Sequence, residues 1–88
     1  MTDTARFKRH AALVDRMAEA RGLDLEEVAL RGDITPGDIS EMVLRCTGCT
    51  QTENCERWLA EQVGAVSAAP HYCRNARAFS ALAAHSGG

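Results

Sequence analysis

Apolar residues recur every three or four positions along most of the chain, which is the spacing of amphipathic helices. The first such stripe covers about residues 5–21 and consists of Phe7, Ala11, Leu13, Val14, Met17 and Ala18. Gly22 follows it, and glycine is a typical residue at a helix end. No segment alternates apolar and polar positions between turn signals, as a half-buried strand would. The pattern therefore predicts an all-α fold.

Two further helix starts have local capping signatures. Asp24 is expected to cap a short second helix, with Glu27 three residues later completing a capping box. Thr35 is expected to cap a third helix over about 36–45, with a proline at its first position and Asp38 in the capping-box position. Both helices are thus predicted from residues within one turn of their starts.

The middle of the chain is polar and then becomes helical again. Residues 46–55, CTGCTQTENC, are too rich in Gly, Thr and Asn for a regular element, so we predict a loop there. Thr52 is expected to cap a fourth helix over about 53–63, and a last helix is expected over about 72–84.

The length and composition indicate a single domain, 1–88, built as a small bundle of four to five helices. Residues 1–4 and 85–88 are predicted to be frayed termini. Hydrophobic residues make up 45% of the chain, but 15 of them are alanines, which leaves a thin core. Small domains of this kind usually add a disulfide, a metal or a partner subunit.

Charge and targeting signals exclude several classes of protein. A net charge of −2 argues against a general nucleic-acid binder, and no apolar run reaches the roughly 18–20 residues of a membrane span. The start of the chain lacks the continuous apolar segment of a secretory signal, so we expect a cytoplasmic protein. No nucleophile–base pair, phosphate-binding glycine loop or pair of catalytic carboxylates is present, so we expect no enzymatic activity.

Four cysteines, Cys46, Cys49, Cys55 and Cys73, have the spacing C-x2-C-x5-C-x17-C. In the cytoplasm such clusters bind metal more often than they form disulfides. Four thiolates suit either an iron–sulfur cluster or zinc. Cys73, expected near the start of the last helix, would close the site and tether the C-terminal half.

Three cysteines from one loop and a fourth from elsewhere are common in iron–sulfur sites, so we predict a [4Fe–4S] cluster. Its role would be electron transfer, redox or iron sensing, or structural support for contact with a protein partner. A structural four-cysteine zinc site in an interaction module is the first alternative, and a disulfide-stapled helical adaptor is the second.

Several neighbours of the cysteines fit this prediction. Three arginines adjoin the cysteines and would offset thiolate charge: Arg45, Arg57 and Arg74. His71 is a further candidate ligand, although a solvated loop histidine is the stronger interpretation. Trp58 is expected in the core, where it would shield the cysteine loop. His10 is expected on a charged face of the first helix.

The run RCTGCTQTENCERW resembles the end of the iron–sulfur loop of the helix-hairpin-helix DNA glycosylases. In that family the last three of the four cluster cysteines have this same spacing. The resemblance implies ligand roles for Cys46, Cys49 and Cys55. It does not extend to the family's remaining cysteine, whose place is taken here by Ile39, or to the catalytic domain, so it implies no DNA-repair activity.

Over most of its length the chain also resembles a family of short bacterial domains of unknown function. Its members combine an LRGDITPGDI-like helix start, an RCTGC...C..WLA run and a later P.YCRNA segment. The residues that carry the resemblance are Cys46, Cys49, Cys55, Trp58, Leu59, Pro70, Cys73 and Asn75. The resemblance implies a shared four-cysteine helical domain and supplies no biochemical function.

Overall fold

A computed structural model describes residues 2–86 of the chain, with the side chains of residues 4–84. Its helices are, in chain order, α1 Thr2–Ala20, α2 Leu25–Leu30, α3 Pro36–Thr47, α4 Thr52–Glu61 and α5 Ala76–Ser86. These described residues contain no strand, so the predicted all-α fold is confirmed. None of the helices in this part of the chain is long and apolar enough to cross a membrane.

The predicted frayed termini fall partly outside this range. Met1, Gly87 and Gly88 lie outside the described residues. The helix α1 already begins at Thr2, and α5 continues to Ser86. Fraying of these helix ends remains a prediction.

The long helix α1 packs along α3 and also contacts α4. The inward-facing part of its predicted stripe is buried and consists of Leu13, Val14, Met17 and Ala18. The helix ends in a Schellman motif, in which the Leu23 N–H donates to the Ala18 carbonyl at 2.8 Å and the Gly22 N–H to the Glu19 carbonyl at 2.9 Å. Gly22 has φ +77°, a conformation that glycine adopts without steric cost.

The short helix α2 begins with the predicted cap. The Asp24 carboxylate accepts hydrogen bonds from the backbone N–H groups of Glu26 at 3.0 Å and Glu27 at 3.3 Å. The Glu27 carboxylate instead forms an ion pair with Arg31, four residues further along, and accepts its hydrogen bond at 3.1 Å. Among the described contacts the capping box is therefore only half formed.

The start of α3 has a complete capping box, as predicted. The Thr35 hydroxyl accepts from the Asp38 N–H at 3.0 Å, and the Asp38 carboxylate accepts from the Thr35 N–H at 3.0 Å. The hydrogen bond from the Thr35 backbone, followed by that of its side chain, lowers the pKa of Asp38. The helix continues through Thr47, past the predicted end near residue 45, and so contains Cys46.

The core lies between α1, α2 and α3 and receives one buried side chain each from α4 and α5. Its hydrophobic members are Leu13, Val14, Met17, Ala18, Leu23, Leu25, Val28, Ile34, Met42, Val43, Leu59 and Phe79. Trp58 packs against it partly buried, in agreement with its predicted core position. His10 is only 5% exposed, so its predicted place on a charged face is wrong. Its Nδ1 lies 2.8 Å from the Arg6 carbonyl oxygen, which satisfies the buried ring within the helix.

The start of α4 differs from the prediction. The residue before the helix is Gln51, and its side chain makes no capping hydrogen bond among the described contacts. Thr52 is the first helical residue, and its hydroxyl donates a hydrogen bond to the Cys49 carbonyl at 3.4 Å. The predicted Thr52 cap is therefore wrong, because this side chain bonds to the preceding turn.

The last helix, α5, begins at Ala76 instead of near residue 72. The residues before it form successive turns, in which the Cys73 N–H donates to the Pro70 carbonyl at 3.0 Å and the Ala76 N–H to the Cys73 carbonyl at 3.2 Å. Cys73, which we expected near the start of the last helix, thus lies in a turn just before that helix.

Candidate functional site

The four cysteines come from consecutive but distinct elements of the fold. Cys46 lies in the last turn of α3, Cys49 in the connection to α4, Cys55 in the first turn of α4 and Cys73 in the turn before α5. The predicted loop over 46–55 is therefore much shorter, because α3 and α4 extend into it from both sides. All four, each within the described part of the chain, are half-buried free thiols.

Core packing and backbone hydrogen bonds position the thiols. Cys46, Cys55 and Cys73 pack against the hydrophobic core. The Cys49 N–H donates to the Cys46 carbonyl at 3.0 Å, so the C-x2-C turn continues directly from the last turn of α3. The Gln51 N–H donates to Cys49 Sγ at 3.3 Å, and such N–H···S contacts stabilise a thiolate.

The thiols lie close enough together for their charges to act on one another. Burial raises the pKa of Cys46 to about 11, and the charges of Cys55, Cys49 and Cys73 act in the same direction. Burial, followed by the charges of Cys73 and Cys49, raises the pKa of Cys55 to about 11 as well. The fold thus brings all four predicted site residues into one neighbourhood, even though Cys73 is distant in sequence.

Asn75 links the fourth cysteine to α3. Burial raises the pKa of Cys73, a hydrogen bond from the Asn75 backbone N–H lowers it, and the charge of Cys49 raises it. The Asn75 side chain is 3% exposed and donates to the Met42 carbonyl at 2.8 Å. It also accepts from Arg45 Nε at 2.9 Å. Sequence reasoning identified Asn75 only as a shared family residue, because an asparagine before a helix looks the same whether it is exposed or buried.

Tyr72 is a further neighbour of the cysteines that sequence reasoning did not identify. Burial, followed by the charges of Cys55, Cys49 and Cys73, raises the pKa of its phenol, which places the ring beside the thiols. The ring of His71 packs edge-on against that of Tyr72, with centroids 5.6 Å apart and planes at 74°. Tyr72 and His71 thus form an aromatic pair next to the cysteines.

The arginines around the site make contacts that the sequence did not indicate, and their predicted role in offsetting thiolate charge stays a prediction. Arg74 lies against the C-x2-C turn. Its Nε is so close to Gly48 that any side chain at that position would place its Cβ only 3.5 Å from this nitrogen. The guanidinium of Arg57 bonds to an asparagine of its own helix. The positive charge of Arg16, from α1, lowers the pKa of Cys55. The sequence alone did not indicate this effect of Arg16, because it depends on the packing of α1 against α4.

Within residues 2–86, no group of three or more His, Cys, Asp or Glu side chains is arranged so that it could hold a metal ion. The cysteines therefore form a neighbourhood of thiols and not a finished coordination sphere. A metal or cluster binds thiolates. With pKa values of about 11, Cys46 and Cys55 keep their protons at neutral pH, so any such binding must release protons.

The relationship of the chain to known proteins rests on a match over nearly its whole length. No curated protein and no solved structure is significantly similar to it. The resemblance to a family of short domains of unknown function is confirmed by a family model. The chain belongs to DUF6455, a family of unknown function whose model matches residues 1–85.

Proposed function

We propose that this protein is a small [4Fe–4S] cluster-binding domain whose ligands are Cys46, Cys49, Cys55 and Cys73. The observation that carries the proposal is the convergence of four thiols whose charges act on one another. Four cysteine thiolates are the usual ligand set of such clusters. In this domain the cluster would serve electron transfer, redox or iron sensing, or structural support for contact with a protein partner.

The distribution of the ligands favours a cluster over structural zinc. Three come from the short segment 46–55 and the fourth from a distant turn, an arrangement common among iron–sulfur sites. Structural zinc sites often use two C-x2-C turns, and here Cys55 and Cys73 form no second turn of that kind. A four-cysteine zinc site in an interaction module uses the same residues and is the alternative.

Binding has two requirements that follow from the thiol environment. The cluster must displace the protons of thiols whose pKa values are raised, and it must draw the sulfurs into one coordination sphere. The Gln51 N–H already donates to Cys49 Sγ and would stabilise that thiolate when it is bound, and the Asn75 backbone lowers the pKa of Cys73. We therefore expect cluster uptake to become more favourable as pH rises.

The test is metal and sulfide analysis of protein purified under argon, or reconstituted with ferrous iron and sulfide. We expect a brown protein whose visible absorption bleaches on reduction. Replacing any one of the four cysteines by serine should lower the iron content, while Thr50→Ala, in the same connection, serves as a control that keeps it.

Other outcomes contradict the proposal in distinct ways. A colourless protein with one zinc per chain would establish the zinc alternative. A mass four hydrogens below that of the reduced chain would establish two disulfides and the stapled adaptor. Free thiols that take up neither iron nor zinc would contradict both metal-binding hypotheses.

A further inference from the structure

Asn75 is a buried polar residue between the turn that carries Cys73 and the helix α3. Its side chain is 3% exposed. The amide nitrogen donates to the Met42 carbonyl at 2.8 Å, and the amide oxygen accepts from Arg45 Nε at 2.9 Å. Because both ends of this buried amide are hydrogen-bonded, the side chain is held in a single orientation.

The chemistry of the two partners explains why the residue is an asparagine. Arg45 can only donate a hydrogen bond, and the Met42 carbonyl can only accept one. An aspartate at this position would accept a hydrogen bond from Arg45, but at neutral pH it has no proton to donate to the Met42 carbonyl. Leucine has a similarly branched side chain but can neither donate to the carbonyl nor accept from Arg45. An asparagine amide meets both requirements at once.

The backbone of the same residue connects Cys73 to α5. The Asn75 backbone also lies close enough to Cys73 to lower the pKa of its thiol. Its carbonyl accepts from the Phe79 N–H at 2.9 Å, a bond of the first turn of α5. Both α3 partners of the side chain lie within about one turn before Cys46. Asn75 thus joins the turn that carries Cys73, the start of α5 and the turn of α3 that carries Cys46.

We propose that Asn75 is a positioning residue of the four-cysteine site, which fixes the Cys73 sulfur relative to Cys46 by locking the turn before α5 onto α3. This inference rests on the proposed function, in which Cys73 is the fourth ligand. Its physical basis is that Cys73 is the ligand most distant in sequence, so the short local turns that align the other three cannot place it.

The first experiment compares Asn75→Leu with Phe79→Leu, a control that loosens the packing of α5 and keeps the backbone bonds of the turn. Each protein is loaded under argon with ferrous iron and sulfide, and the loss of visible absorption to an iron chelator is timed. Asn75→Leu removes both side-chain hydrogen bonds that hold the turn before α5 on α3 and leaves their buried partners unpaired, so we expect the variant to lose its cluster roughly tenfold faster than the parent. Equal rates in the two variants would reduce Asn75 to a general stabilising residue and overturn the inference.

The same comparison in a Cys73→Ser background tests whether Asn75 acts through Cys73. If it does, Asn75→Leu should add little to the effect of losing the cysteine, because the two changes remove the same interaction. A full additional effect of Asn75→Leu in this background would overturn the positioning role.

A second readout does not require a loaded protein. In metal-free reduced protein, iodoacetamide labelling followed by peptide mass spectrometry should show Cys73 reacting several-fold faster in Asn75→Leu, with Cys49 unchanged. If circular dichroism shows that Asn75→Leu does not fold, Asn75→Asp, which keeps the acceptor for Arg45, takes its place.

The two readouts separate the two hypotheses. A parent protein that takes up no iron contradicts the proposed function, and the role of Asn75 as a ligand-positioning residue falls with it. A parent that loads normally, while the Asn75 variants show unchanged Cys73 labelling and cluster lifetime, contradicts the positioning role alone.

Discussion

The first and second halves of the chain are held in the fold by different interactions. Of the twelve hydrophobic side chains that are buried among the described residues, ten lie within 13–43, and the other two are Leu59 and Phe79. The first half therefore gains its stability mainly from the removal of apolar surface from water. The second half contributes only two fully buried side chains to this core, and its other hydrophobic residues pack against the core only partly buried.

Several polar contacts join the second half to α1 and the turn that follows it. The Arg9–Glu56 ion pair at 2.9 Å is exposed, and exposed pairs contribute at most about 1 kcal/mol. Arg21 donates to the Val66 carbonyl at 3.1 Å, but its buried Nε has no partner among the described contacts. The Val66 N–H donates to the Ala20 carbonyl at 2.6 Å. Polar contacts of this kind fix the path of the chain and contribute little to the free energy of unfolding.

The largest expected effect is on the core of the first half. Met42 is 2% exposed, and Met42→Ala should lower the free energy of unfolding by about 2–5 kcal/mol, since it removes buried methylenes and leaves a cavity. Urea denaturation followed by circular dichroism measures this. Leu44→Ala, on the same helix but 59% exposed, should change stability by less than about 0.5 kcal/mol. Equal losses in the two variants would contradict the assignment of the core.

The next effect concerns the tether of the second half. In cluster-loaded protein we expect Cys73→Ala to lower stability by about 1–3 kcal/mol, because the variant lacks one of the four ligands and a cofactor bound less tightly stabilises the folded state less. Thermal denaturation under argon measures the change. The loss should be clearly smaller in cofactor-free protein, which is the matched control. A loaded variant with the melting temperature of the parent would show that Cys73 is not the fourth ligand.

Helix capping should also differ between the halves. Thr35→Ala removes the hydroxyl of a complete capping box and should cost about 1 kcal/mol. Thr52→Ala removes a hydroxyl that does not cap α4 and should cost clearly less. Chemical denaturation of the two single variants checks the difference. If Thr52→Ala were the more damaging change, the observed start of α4 would be wrong.

The smallest expected effect is a dependence on alkaline pH. The pKa values of Cys46 and Cys55 are raised in the folded protein from 9.0 to about 11, so the folded state holds these protons more tightly than the unfolded state. Their contribution to stability is complete below about pH 9 and is lost as pH rises toward 11. Thermal denaturation of cofactor-free, reduced protein across this range should show the decline. A variant with both cysteines replaced by alanine should show a flatter dependence, and an unchanged slope would exclude these thiols as its cause.

Local signals in the sequence predicted the first half well. The caps at Asp24 and Thr35 and the helix end at Gly22 were each confirmed. Each depends on hydrogen bonds or backbone angles within about one turn, so the neighbouring residues determine it. The prediction was less accurate near α4 and α5, because the Thr52 hydroxyl bonds to the Cys49 carbonyl instead of capping α4 and the residues just before α5 form separate turns.

The sequence by itself determined the helical class, the apolar stripe of α1 and the spacing of the cysteines. Tertiary structure alone decided that His10 is buried and that Cys73 approaches the other three cysteines. It also decided that Asn75 bonds to Arg45, a residue 30 positions away. The physical reason is range: a cap or a helix stop is fixed by interactions between near neighbours, whereas burial and pairing across the chain depend on how the helices pack.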